Sequence, residues 1–315
     1  MQERIYIKDI TRLQEIGIKF KERLIDKITI HVFKKHDLSQ INHVNGERYI
    51  LHRYTSKESV FGYSSHIKKK SHFGYKITNK LNEEIYDITC TYSEYNYDVM
   101  LYVNPSRIGG LQVTEEILKL LGITDENSKI SRIDFTLDFE CKSVSDFIKY
   151  LNVKDKKNID AYYTKYKNGD LYELSGVYYG EKNSTKTTKL IVVYDKSIEQ
   201  LTKKAIELTD THVIRVEYRI KGKNLSDIKL ENLTEITKFN PFKKLEFVNW
   251  EAKINDGNNI KEIIKASNLK HNFGLKGYTL GYRKLNKNRQ FARDYRNIFI
   301  ENWKFFLSDI WELYK

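Results

Sequence analysis

Residues Ser131 to Glu140 read Ser-Arg-Ile-Asp-Phe-Thr-Leu-Asp-Phe-Glu, with apolar and polar side chains alternating at every step. A period of two commits this segment to a β-strand, because successive side chains of a strand point to opposite faces. Ile133, Phe135, Leu137 and Phe139 face a core, and Arg132, Asp134, Thr136, Asp138 and Glu140 line the other side of a half-buried strand. Three carboxylates along one strand face repel one another. A divalent cation, basic groups or water must compensate them.

The overall charge bears on that choice. The chain of 315 residues carries 55 Lys and Arg against 42 Asp and Glu, a formal charge of +13. Such a surplus favours polyanions, nucleic acid above all. An AT-rich genome would produce the same bias toward Lys, Asn, Ile and Tyr without any ligand. With 23 Tyr and 2 Pro, rings interleaved with cations suit single-stranded nucleic acid, where bases stack and phosphates are neutralised. Most of those tyrosines are expected to be ordinary sheet residues. Cys90 and Cys141 are the only cysteines, which excludes a disulfide framework and a cysteine zinc site. No apolar run approaches the ~20 residues of a membrane span, and Met1 to Lys8 is unlike a signal peptide. The expectation is a cytoplasmic protein with no membrane partner.

Strand patterns occur at residues 25–33, 86–92, 97–103, 161–166, 173–179, 189–194 and 213–220. Helical patterns occur at residues 9–24, at 114–121 closed by Gly122, at 143–151 capped by Ser143, and from Ser197 to about Leu208. Ser197-Ile198-Glu199-Gln200 is a capping-box pattern. Lys68-Lys69-Lys70 suits a hairpin tip. Beyond Lys221 the strand signals fade, and residues 260–267 and 288–314 have helical spacing. The expected fold is α+β, with a mostly antiparallel central sheet and flanking helices in residues 1–221 and a smaller helical C-terminal part in residues 222–315.

Tyr194 ends a strand of Leu, Ile and Val just before a helix, and Lys196 follows two residues on. Helix N-terminal N–H groups beside such a junction favour anions. A phenol is a weak nucleophile at its usual pKa of ~10. A nearby cation and a polarised phosphate would make its attack feasible. The competing reading is a packed sheet tyrosine. Glu217 lies between Arg215 and Arg219 on one side of a strand. It is either part of a cross-strand ion ladder or a third carboxylate for a hard cation, with guanidinium groups for phosphate. The eight histidines form neither His-x-His nor His-Glu-x-x-His. The glycines form no phosphate loop, and no Gly-x-Ser-x-Gly elbow occurs.

In order along the chain, Asp26-Lys27-Ile28-Thr29-Ile30, Val103-Asn104-Pro105-Ser106, Ser131 to Glu140, Val177-Tyr178-Tyr179-Gly180, Val192-Val193-Tyr194-Asp195-Lys196 and Ile214-Arg215-Val216-Glu217-Tyr218-Arg219 resemble segments of a known family. It is the rolling-circle replication initiation factors of plasmids (the Rep-trans family), related to the gene II replication proteins of filamentous phages. The resemblance covers roughly residues 25 to 221. It implies a metal-dependent, site-specific DNA nickase and strand transferase. Tyr194 would attack the scissile phosphate, hold the DNA 5′ end and release a 3′-hydroxyl primer. Asp134, Asp138 and Glu217 would hold Mg²⁺ or Mn²⁺, with Glu140 as a substitute for Asp138. Arg132, Lys196 and Arg215 would contact phosphates. Tyr178 and Tyr179 are the rival nucleophiles.

The same resemblance implies as partners a single-stranded or cruciform DNA origin with flanking duplex, a host helicase and polymerase, and a homodimer. A conjugative relaxase would share the chemistry, whereas a non-enzymatic origin-binding protein would bind duplex without a covalent adduct. Residues 283–296 are basic. Trp303, Phe305, Phe306, Leu307, Ile310 and Trp311 form an apolar cluster. Helix packing on the sheet, origin binding and dimer contacts are all open for that end of the chain.

Overall fold

The computed structural model describes residues 11–33, 35–55, 71–79, 84–92, 98–153, 159–165, 172–180, 189–199, 211–252 and 299–313. Its strands are β1 (Lys19–Val32), β2 (His43–Asn45), β3 (Tyr49–Thr55), β4 (Ser71–Asn79), β5 (Glu84–Tyr92), β6 (Val99–Val103), β7 (Ser128–Cys141), β8 (Leu151–Val153), β9 (Ile159–Lys165), β10 (Tyr172–Tyr179), β11 (Lys189–Asp195), β12 (His212–Lys221), β13 (Leu245–Ala252) and β14 (Phe299–Phe306). The chain divides into two compact units. One comprises Leu24–Phe135 and Arg219–Phe239; the other comprises Met1–Arg23, Thr136–Tyr218 and Asn240–Lys315. Both are α+β, and each observed pairing with a defined register is antiparallel.

In the unit built on Leu24–Phe135 the strands run in the order β2-β3-β4-β5-β6-β1-β7. Helices Pro105–Ile108 and Leu111–Leu120 connect β6 to β7. Gly109 and Gly110 between them take φ of 99° and 104°, which a side chain would resist. Glu115 of the second helix accepts the Leu233 N–H at 3.2 Å, and Asp125 accepts that of Leu230 at 3.0 Å. These bonds fix the 3-10 segment Leu230–Lys238 to the unit.

In the unit containing Thr136–Tyr218 the strands run β7-β12-β11-β10-β9, and a second sheet runs β14-β13-β8. Phe139, Phe147 and Phe247 form a triad of ring contacts at 5.2 to 5.6 Å between centroids. Each is buried, and such contacts contribute roughly 0.5–1.5 kcal/mol beyond area burial. Ser143 caps helix Val144–Ile148 by accepting the Asp146 N–H at 3.0 Å, as its position predicts. Trp311 is buried against Phe242, and the Arg23 guanidinium stacks on it 4.1 Å from the ring centroid.

Three expectations from the sequence change. Among the described residues the helix over 9–24 is present only at residues 11–15, because Gly17 turns the chain with φ of 75° and β1 begins at Lys19. Of the helix over 288–314, the described part is strand β14 followed by helix Leu307–Leu313. Aromatic and β-branched content overrides helical spacing there, since Phe305 pairs with Phe247 across β13. Strand β13 itself lies where the strand signal faded. The helix at 260–267, the basic residues 283–296 and the Lys68–Lys70 tip lie outside the described residues. Among the described residues no helix is long and apolar enough to cross a membrane.

Candidate active site

Strand β7 is buried on both faces. Ile133, Phe135, Leu137 and Phe139 are fully buried, as the alternation predicts, but Asp134, Thr136 and Asp138 on the polar side are buried too. A half-buried strand was expected. The difference arises because basic groups cover the acids, Arg132 of β7 itself on Asp134 and Arg215 of β12 with Lys196 on Asp138.

Within the unit containing Thr136–Tyr218, Arg215 grips Asp138 in a fork, Nε to Oδ1 at 2.7 Å and Nη2 to Oδ2 at 2.9 Å. Lys196 Nζ adds a third bond to Oδ2 at 3.0 Å. Asp138 is 0 % and Arg215 3 % exposed at the side chain, while Lys196 retains 22 %. Burial pushes the Asp138 carboxyl up, but the hydrogen bonds and charges of Arg215 and Lys196 outweigh it and hold it below the usual carboxylate range. Arg215 is therefore an internal counter-ion, and Lys196 is the cation of the pair with access to the surface.

Strand alternation places Tyr194 relative to this network. Asp195 ends β11 and its Oδ2 accepts from His212 Nδ1 at the start of the neighbouring β12. These two side chains thus share one face. Tyr194, one residue before Asp195, points to the opposite face, as do Arg215 and Glu217, three and five residues after His212. Arg215 holds Asp138, so Tyr194, Asp138, Arg215 and Glu217 line one face of β7, β12 and β11. Lys196 reaches the same face from the first turn of the helix that follows. Tyr194 is half-buried, not packed in the interior, and its register partner on β10 is Gly176, which has no side chain. Glu217 is buried at 3 % exposure.

The rival tyrosines differ from each other in burial. Tyr179 is buried, and burial pushes its phenol far above its ordinary pKa. Tyr178 is half-buried and pairs with Val192, which puts it on the Tyr194 side of the β10–β11 pair.

In the unit containing Leu24–Phe135, Asp134 is buried and takes a fork from Arg132, Nε to Oδ1 at 2.6 Å with Nη2 on Oδ2. Partial desolvation and the charges of Arg132 and Arg219 pull the Lys221 ammonium down, while Asp134 pulls it up. Arg132, which pairs with Asp134, and Arg219 thus both lie near Lys221. Lys221 is exposed.

Of the expected ligands, Asp134 and Asp138 are not open to a metal ion as they stand. Both oxygens of each aspartate are taken by guanidinium or ammonium groups. Among the described residues no three His, Cys, Asp or Glu side chains converge on a possible metal position. Glu140 pairs instead with Lys19 at 3.2 Å. Of the three means of compensation open to the acidic strand, the structure uses basic groups.

Two residues of this region were not legible as functional. Asp195 caps the helix after β11 by accepting the Ile198 N–H at 2.9 Å, so the capping-box assignment of Ser197 is corrected. Ser197 Oγ accepts the Val213 N–H at 2.9 Å instead. An aspartate directly before a helix start was the available signal for the cap; nothing in the sequence marked His212 as its partner.

No family model matches the chain, and no curated protein matches it. Among solved structures it is similar to a rolling circle replication initiator protein from Geobacillus stearothermophilus. The TM-score is 0.40 and the identity 11%, over 90% of this chain and 97% of that one.

Proposed function

We propose that the chain is a rolling-circle replication initiator that nicks one DNA strand by attack of Tyr194 on a phosphodiester. The observation that carries the reading is the shared face. A half-buried tyrosine at the C-terminal end of β11 lies on the side of the sheet where Lys196, Arg215 and Asp138 form a charge network. The ordered motifs around Tyr194, Arg215 and Asp138, and the surplus of 55 basic over 42 acidic residues, support the same reading.

In the reaction the phenol gives up its proton and its oxygen bonds to phosphorus. The 3′ oxygen leaves and takes up a proton. One phosphate ester replaces another, so no nucleotide cofactor is consumed, and the freed 3′-hydroxyl is available to a polymerase. Lys196 follows the nucleophile by two residues, on the same face and with its ammonium partly exposed, and its role is to stabilise phosphate charge as the phenoxide approaches. Asp138, itself gripped by Arg215, holds that ammonium in place. Asp134 and Asp138 hold basic groups on both oxygens, so neither is given a metal-binding role in this step.

The test is covalent trapping. Single-stranded oligonucleotides covering the origin of the element that encodes the protein are incubated with it and Mn²⁺. A covalent protein–DNA band is expected, and Tyr194→Phe is expected to abolish it. An undiminished band from that variant rejects Tyr194 as the nucleophile. Tight duplex binding without any adduct favours the non-enzymatic origin-binding alternative.

A further inference from the structure

We propose that Asp195, Ser197 and His212 form a latch on the far face of the sheet that positions Tyr194 and Lys196 for attack. The inference rests on the nicking reading above and adds residues that the motifs do not assign.

Three bonds converge within a few residues of Tyr194. Asp195 Oδ1 accepts the Ile198 N–H at 2.9 Å, which fixes where the helix begins. Asp195 Oδ2 accepts from His212 Nδ1, which joins the end of β11 to the start of β12. Ser197 Oγ accepts the Val213 N–H at 2.9 Å, which joins the first helical turn to the same strand. Asp195 is 2 % exposed. Burying a carboxylate is expensive unless its oxygens are hydrogen-bonded, and here each oxygen has a donor. The cost is met at the one place where the backbone passes from strand to helix.

The consequence lies on the opposite face. Tyr194 immediately precedes Asp195 and Lys196 immediately follows it. Neither can shift along the strand or rotate about the junction without breaking these bonds. Lys196 is tied at its other end to Asp138. The strand-end position of Tyr194 is therefore defined from behind by the latch, and its register partner on β10 is Gly176. Displacing a reacting atom by about 1 Å can cost about 100-fold in rate, so the latch acts on the rate of attack rather than on DNA affinity. Asp195, Ser197 and His212 are positioning residues and touch no substrate.

The experiment compares His212→Leu with His212→Asn in the full chain. Asparagine offers an amide N–H near the place of Nδ1, and leucine offers none. At saturating origin oligonucleotide, His212→Leu is expected to form the Tyr194 adduct at least ~10-fold more slowly. DNA affinity is expected to stay unchanged, and His212→Asn to recover most of the rate. Ser197→Ala serves if His212→Leu fails to fold, with the same split between rate and affinity. Amide hydrogen exchange at Ile198 and Val213 reads the latch without any reaction and is expected to accelerate at Ile198 in Asp195→Ala and at Val213 in Ser197→Ala. Wild-type adduct rates in His212→Leu, or equal losses in the leucine and asparagine variants, overturn the latch. Unchanged exchange at both amides does so as well. A wild-type protein that forms no adduct, with exchange behaving as expected, instead rejects the nicking reading and leaves the latch as a fact of the fold.

Discussion

Arg215 donates two hydrogen bonds to Asp138, at 2.7 and 2.9 Å, with both side chains inside the protein. This fork turns the acidic side of β7 from a repulsive row into a neutralised layer, and it ties β12 to β7. Lys196 completes the layer from the strand-to-helix junction after Tyr194. Replacing Asp138 by Asn leaves two cations facing a neutral amide. The expected loss is about 3–5 kcal/mol at neutral pH, the usual cost of breaking a buried ion pair, measured by denaturant unfolding.

The same pair sets an acid limit. The folded Asp138 carboxyl titrates below its ordinary value, so its contribution is complete above the unfolded pKa of about 3.9 and is lost as pH falls through the lower folded value. The stability gap between wild type and Asp138→Asn is expected to be constant from pH 5 to 7 and to narrow only below about pH 4. A gap that closes near pH 6 contradicts the assignment.

Burial distinguishes Tyr179 of β10 from Tyr194. Tyr179 is enclosed and its phenol is held protonated by desolvation. Tyr179→Phe is expected to keep full adduct formation, and so is Tyr178→Phe, although Tyr178 shares the Tyr194 side. Loss of the adduct in Tyr178→Phe alone would transfer the nucleophile to that strand.

Much of this arrangement was legible in the sequence, for physical reasons. The alternation of Ile133, Phe135, Leu137 and Phe139 defined β7 and its core face, and that of Arg215, Glu217 and Arg219 defined the polar face of β12. Side-chain period is a local property. The burial of Asp138 was not legible, because it depends on Lys196 and Arg215 arriving from 58 and 77 positions away. The acids therefore read as open ligands when they are closed ion pairs. Strand β14 was misread for a similar reason: Phe299–Phe306 is extended because it pairs with β13, a partner outside any local window.

The neutralised carboxylates carry a prediction about metal. Both oxygens of Asp138 are engaged by cations, so Asp138→Asn is expected to leave Mn²⁺ affinity in calorimetry within about twofold of wild type, a margin of about 0.4 kcal/mol. A loss of tenfold or more would make Asp138 a metal ligand and require Arg215 or Lys196 to release it.

Affinity for DNA should report the exposed cations. Lys221 stands free of the interior beside Arg132 and Arg219. Lys221→Met is expected to reduce the slope of log affinity against log salt by about 1, with equal effect on all DNA sequences. An unchanged slope would exclude this cluster from the DNA-binding surface.

The attacking atom can be identified directly. After covalent trapping and digestion with trypsin and nuclease, the segment Leu190 to Lys196 is released as Leu-Ile-Val-Val-Tyr-Asp-Lys, which contains one hydroxyl-bearing side chain, Tyr194. Mass spectrometry is expected to find this peptide carrying a 5′-linked nucleotide. Finding it unmodified while another peptide carries the nucleotide would contradict the account.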